Sequence, residues 1–164
     1  MAVFEHGTSR IYYEEEGSGD ALLLLPGWSL SIEDMQPIRQ ALTPRYRVIA
    51  ADAPGAGRSE PQPREYTDSY YEDDSRSFLA LLDELGASPA HIVGFSDGGE
   101  YALVMAELQP AAVRSIVAWG RWASLKRHQV WLRRLGMWSI TRFRRSRSSL
   151  TILRVLTVKR TRGL

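Results

Sequence analysis

An α/β architecture, a doubly wound and mostly parallel sheet, is what this 164-residue chain predicts. Three observations carry that prediction. Short apolar runs recur along the first 120 residues, Ala21-Leu22-Leu23-Leu24-Leu25, Arg47-Val48-Ile49-Ala50-Ala51 and His91-Ile92-Val93-Gly94, and residues 113–119 add a fourth core strand. Unbroken apolar runs mark strands covered on both faces, as in a parallel sheet. Segments with helical spacing separate the runs, and most of the runs end at Pro or Gly turn residues, so the alternation implies right-handed crossovers.

Taken in order, Arg10-Ile11-Tyr12-Tyr13-Glu14 mixes β-branched and aromatic residues with polar ones between His6-Gly7-Thr8 and Gly17-Ser18-Gly19, predicting an edge hairpin. Pro26-Gly27 ends the first apolar run and Asp52-Ala53-Pro54-Gly55 the second. Between them, Met35, Ile38 and Leu42 predict one crossover helix over 34–42. Tyr71, Ser75, Phe78, Leu82 and Leu85 predict a second, with acids in its first turns and Gly86 just past its end. The third strand leads into a Gly-rich turn and a helix over about 98–109, stopped by Pro110. Residues 113–119 form the fourth parallel core strand.

Composition narrows the chemistry. The chain has no cysteine, which excludes disulfides, thiolate zinc sites and a cysteine nucleophile, and three histidines offer little for a metal centre. No phosphate loop or dinucleotide fingerprint appears, so neither a metal nor any other cofactor is expected. The N-terminus lacks a signal-like apolar stretch and no run is long enough to span a bilayer, so a cytoplasmic protein without a membrane span is expected. The formal charge of +2 hides a division. All 19 acidic residues and 7 arginines fall within 1–107, whereas 108–164 carry 14 Lys and Arg and no acid.

The sharpest motif is Gly94-Phe95-Ser96-Asp97-Gly98-Gly99, directly after an apolar strand and directly before a helical pattern. A serine on a tight strand-to-helix turn adopts strained backbone angles, and Gly94 and Gly98, two residues to either side, remove Cβ atoms that would collide there. The helix that follows aims its first N–H groups at an oxyanion formed beside the serine.

With Leu25-Pro26-Gly27-Trp28, the loop Asp52-Ala53-Pro54-Gly55-Ala56-Gly57-Arg58-Ser59 and the hairpin at Gly7 and Tyr13 to Gly19, the motifs stand in an order that resembles the α/β-hydrolase fold superfamily, within its esterase, haloperoxidase and valacyclovir-hydrolase-like group. The resemblance covers roughly residues 4–120. It implies that Ser96 is the nucleophile, that the backbone N–H groups of Asp97 and Trp28 form the oxyanion hole, and that the substrate is a small ester-like molecule cleaved through an acyl-enzyme. Pro26 stands where many relatives have His, which leaves those backbone donors intact. Asp52 reads as a strand-end cap or loop anchor rather than a catalytic acid, and Asp97 as a capping or substrate-contacting side chain.

The same resemblance exposes what is missing. A serine needs a histidine base, and the base needs a carboxylate, both expected after later strands. No Asp or Glu follows Glu107. His6 reads as a surface or turn residue and His91 as a structural part of its strand, while His128 follows the fourth strand rather than the last. The chain is therefore expected to be catalytically incomplete, with a hydrolase portion over 1–120 and an irregular basic tail over 121–164. That tail holds 13 basic residues and Trp122, Trp131 and Trp138. A shifted reading frame or divergent replacement, a genuine basic extension and a complementing partner chain all remain open. In the alternative reading the protein is no enzyme, and the tail binds nucleic acid or anionic surfaces without specificity and with a steep salt dependence. The sheet edge beyond Val117 needs the tail, a second copy or another chain to cover it, so self-association is expected.

Overall fold

The computed structural model describes residues 2–120 together with the backbone of residues 140–142 and 154–157. An antiparallel hairpin of β1 (Ala2–His6) and β2 (Ser9–Glu16) opens the chain. The strands β3 (Asp20–Leu25), β4 (Tyr46–Ala51), β5 (Ala90–Phe95) and β6 (Val113–Trp119) are the four predicted from their apolar runs. They lie mutually parallel in the order β4-β3-β5-β6, with β2 antiparallel against β4. Two short strands, β7 (Ile140–Arg142) and β8 (Arg154–Thr157), pair antiparallel with each other, and β8 lies along β6 from Ser115 to Ala118. Apart from those two strands, the expectation of an irregular tail over 121–164, and the boundary that went with it, fall outside the described residues.

Helices cover both faces of the sheet, which is why the parallel strands need no polar side. Leu23 and Leu25 of β3 point into a core formed with α2 (Tyr70–Glu84) and α3 (Asp97–Leu108), where Phe78, Leu81, Leu82, Leu103 and Met105 are fully enclosed. Leu22 and Leu24 point the other way, onto Ile32, Met35, Ile38 and Leu42 at α1 (Gln36–Leu42). This alternation follows from the two-residue period of a strand.

The first crossover differs from the single helix expected over 34–42. Residues Ile32–Met35 form a 3₁₀ turn and α-helical bonding begins only at Gln36, with Pro37 in its first turn. Proline has no N–H to donate and fits a first turn but not a helix interior, so the preceding residues take the tighter geometry. Ser31 and Asp34 close that turn reciprocally, the Ser31 N–H donating to the Asp34 carboxylate at 2.8 Å.

An ion pair inside the α2 side locks the loop after β4 to the helices. The Arg64 guanidinium donates two hydrogen bonds to the Asp74 carboxylate, at 2.7 and 3.1 Å, and a third to the Pro54 carbonyl at 2.6 Å. Both side chains are nearly enclosed, so the fork-to-carboxylate geometry offsets the desolvation that an isolated charge would suffer here.

Candidate active site

The turn from β5 into α3 is where the sequence places its motif, and its backbone is strained there. Ser96 has φ +50° and ψ −111°, outside the regions an L-residue ordinarily occupies. Bonds on both sides hold it in that state. The Ser96 N–H donates to the Trp119 carbonyl at 2.7 Å, and the Ser96 carbonyl accepts from the N–H groups of Gly99 and Glu100 at 2.9 and 3.3 Å, opening α3. The residue is half-buried, at the rim of the sheet formed by the carboxyl ends of the parallel strands.

Steric necessity explains the flanking glycines. A Cβ on Gly94 would sit 2.2 Å from the Gly98 carbonyl oxygen, and one on Gly98 would sit 2.3 Å from the Leu25 oxygen and 2.8 Å from that of Pro26. The elbow is thus pressed against the end of β3. Gly27 continues that contact, because a Cβ there would lie 2.9 Å from the Phe95 ring and 3.2 Å from the Ser96 Cβ. The loop after β3 crosses beside the serine, turns through a Leu30 N–H to Gly27 carbonyl bond of 3.1 Å, and leaves the Trp28 side chain 63% exposed. On the other flank Gly120, at φ +107°, would bring a Cβ to 3.0 Å from the Ser96 nitrogen. Of these two neighbours of Ser96, Gly27 belongs to the motif Leu25-Pro26-Gly27-Trp28 and Gly120 to none. The only signal for Gly120 is a glycine immediately after the last residue of a buried strand.

Asp97, the first residue of α3, is half-buried. Burial pushes its carboxyl above the ordinary range, the Tyr71 hydroxyl of α2 opposes the rise, and neighbouring Glu100 adds to it. That partner is not legible in the sequence, where Tyr71 reads only as one member of a helical apolar face.

Asp52 is fully buried below the rim and ties two loops together. Its Oδ1 accepts from the Ile32 N–H at 2.8 Å and its Oδ2 from the Arg58 N–H at 2.9 Å. Burial raises its carboxyl and those two N–H groups oppose the rise. Ser59 completes the anchor, donating to the Asp52 carbonyl and accepting from the Tyr12 N–H, both at 2.8 Å.

The histidines sit elsewhere. Nδ1 of His6 lies 3.0 Å from the Ser77 hydroxyl on α2, and Nδ1 of His91 lies 2.7 Å from that of Ser115 on β6. Since His91 is the second residue of β5 and Ser96 follows its end, the two are separated by about 17 Å of extended chain. His128 falls outside the described residues. Among the described residues no group of three or more His, Asp or Glu is arranged to hold a metal ion, and no helix is long and apolar enough to cross a membrane.

Comparison with known proteins agrees with this geometry. Residues 20–145 match the family described as the alpha/beta hydrolase fold. Serine hydrolase BPHL of Homo sapiens is 34% identical over 114 residues, which are 68% of this chain and 39% of that protein. A 2-hydroxy-6-oxononadienedioate/2-hydroxy-6-oxononatrienedioate hydrolase of Burkholderia vietnamiensis is 35% identical over 127 residues, covering 72% of this chain and 42% of its own length. Among solved structures, Est816, described as an N-acyl homoserine lactone degrading enzyme, superposes with a TM-score of 0.63 at 26% identity, over 69% of this chain and 42% of that one. The chain therefore spans about two fifths of the length of these relatives. Sheet order, the strained turn after β5 and the family match converge, and the chain belongs to the α/β-hydrolase fold family.

Proposed function

We propose that this chain carries the nucleophile half of a serine hydrolase for ester-like small molecules, with Ser96 as the attacking residue. The observation that carries the reading is the backbone of Ser96 itself: a non-glycine residue at φ +50°, half-exposed at the strand-to-helix turn, is strained, and such strain collects at reacting groups. The Ser96 oxygen would add to the substrate carbonyl while its proton passes to a base. The resulting oxyanion would accept hydrogen bonds from the backbone N–H groups of Asp97 and Trp28, and collapse would expel the alcohol and leave an acyl-serine. Support for the second donor is the passage of Gly27, the residue before Trp28, beside Ser96. The relatives named above are described by different substrates, so the acyl portion of the substrate is left at the class level.

No acid follows Glu107, and His6 and His91 are engaged away from the rim, so the chain alone is proposed to acylate slowly and to deacylate poorly. The test is intact-mass analysis of the full chain after exposure to a fluorophosphonate probe. One adduct mapped to Ser96, absent in Ser96→Ala, is expected, together with hydrolysis of a p-nitrophenyl ester that stalls near one equivalent. An unmodified Ser96 after prolonged exposure would refute the assignment.

A further inference from the structure

Phe95 occupies the position between Gly94 and Ser96, and the two-residue period of β5 sends its ring away from α3, onto the α1 face of the sheet with Val93. There the ring meets both flanks of the serine. A Cβ on Gly27, in the loop after β3, would lie 2.9 Å from the Phe95 Cδ1, and one on Gly120, just after β6, would lie 3.1 Å from its Cε2. Those two carbons stand opposite each other across a phenyl ring, so the breadth of the ring separates the two segments. The same glycines border the serine itself, since a Cβ on Gly27 would come to 3.2 Å from the Ser96 Cβ and one on Gly120 to 3.0 Å from the Ser96 nitrogen. Trp119, in register with Phe95 on β6, packs beside it with ring centroids 5.6 Å apart at 46°. The ring is half-buried and Gly27 is buried, so neither has room to drift.

Resting on the reading of Ser96 as nucleophile and of the Trp28 N–H as its second oxyanion donor, we propose that Phe95 is a positioning residue, whose ring is the spacer that holds the loop after β3 at its working distance from the elbow. The donor N–H belongs to the peptide joining Gly27 to Trp28, so whatever fixes Gly27 fixes the donor. On the α3 side the elbow is set by main chain against main chain, Gly94 against Gly98 and Gly98 against the oxygens of Leu25 and Pro26. On the α1 side the nearest neighbour of Gly27 is a side chain, the Phe95 ring. Gly27 has no positive φ, so its backbone does not call for glycine. What excludes a side chain there is the space that Phe95 and Ser96 already fill.

The test is a double-substitution cycle in the full chain, read as the rate of Ser96 modification by a fluorophosphonate and split into a maximal rate and an apparent affinity for the probe. At 2.9 Å a methyl on Gly27 stands about half an ångström inside ordinary carbon contact with the ring. Since a full ångström of misplacement costs about 10²-fold, Gly27→Ala should lower the maximal rate about tenfold and leave the affinity in place. Phe95→Val removes both ring edges yet suits a strand, and it should lower the maximal rate by a similar factor. Phe95→Tyr keeps both edges and should stay within about twofold of the parent. In the Phe95→Val background the next contacts of a Gly27 methyl are the residue 95 carbonyl oxygen and the Ser96 Cβ, both at 3.2 Å, so Gly27→Ala should cost no more than about twofold there. An equal tenfold slowing in both backgrounds, or a slowing carried wholly by the affinity, overturns the positioning role. Should Phe95→Val fail to fold, the other two variants decide: an undiminished maximal rate in Gly27→Ala, or a tenfold loss in Phe95→Tyr, overturns it as well. If Ser96 of the unsubstituted chain is never modified, it is the nucleophile reading that fails, and the positioning role falls with it. A modified Ser96 without the coupling removes the positioning role alone.

Discussion

Gly98→Ala puts the steric account of the elbow at risk, because two effects of opposite sign meet there. Gly98 lies in the first turn of α3, where alanine would be preferred by about 1 kcal/mol on helix propensity alone. Against this, the new methyl would meet the Leu25 oxygen at 2.3 Å and the Pro26 oxygen at 2.8 Å. Restoring an ordinary carbon-to-oxygen separation requires the backbone to part by about 1 Å. The backbone in question is the end of β3, paired on both sides with parallel strands and buried on both faces, so neither partner yields cheaply. Overpacking of a rigid interior costs about 1–3 kcal/mol and occasionally more, and with two main-chain oxygens in the way the balance falls at a net loss of about 2 kcal/mol. Urea unfolding of the full chain measures it, with Gly86→Ala as the comparison. Gly86 has nothing within 4 Å of a built Cβ but stands at φ +58°, so its loss of about 1 kcal/mol has a purely conformational origin. The Gly98 variant should also react more slowly at Ser96, since the displaced segment carries Trp28. A Gly98→Ala protein as stable as the parent, or more so, would refute the reasoning.

Two further outcomes follow from the buried polar groups. Asp52→Ala strands the Ile32 and Arg58 N–H groups, each worth about 1–3 kcal/mol when left unpaired, so a loss of about 2–6 kcal/mol in chemical denaturation is expected, with both loops exchanging their amide hydrogens faster. His91 is held below its ordinary value, first by burial and then by Arg114, with Asp20 opposing. The unfolded chain therefore takes up the proton more readily than the folded one, so stability should be flat with respect to His91 above its ordinary value of 6.5 and decline as the pH falls from there toward the depressed folded value. His91→Gln should flatten that decline, and an unchanged pH profile would count against the burial argument.

The parts of this protein legible in its sequence are those set by local pattern. The strands β3, β4 and β5 announce themselves because a strand enclosed on both faces is dominated by apolar residues, and the elbow because Gly94 is demanded by Gly98, only a few residues away in the chain. The start of α1 is not legible in the same way, since Met35, Ile38 and Leu42 share an apolar face whether the turn before Gln36 is α or 3₁₀, and it is Pro37 that decides. What composition and spacing do not reveal are contacts between distant segments. Nothing local in Arg64 or Asp74 says that a loop and a helix will bring them together, and Tyr71 counts toward an apolar face although its hydroxyl bears on the Asp97 carboxyl. Asp52 is readable as an anchor from its place at a strand end, but its second tether, to Ile32, depends on where the first crossover begins.

The central strand β3 has a property that its position conceals. Leu22, Leu23, Leu24 and Leu25 offer the same side chain to both faces, so sliding the strand by one residue would still supply a leucine at three of these four sites. Four identical letters cannot tell the strand where to stop. The ruler lies outside it, where the Leu25 oxygen fits only opposite a residue without a side chain, and Gly98 is that residue. The turn that presents Ser96 thus also measures out the middle of the sheet. Exchanging these leucines for other branched aliphatics should be forgiven far more readily than any change at the glycine that fixes their alignment.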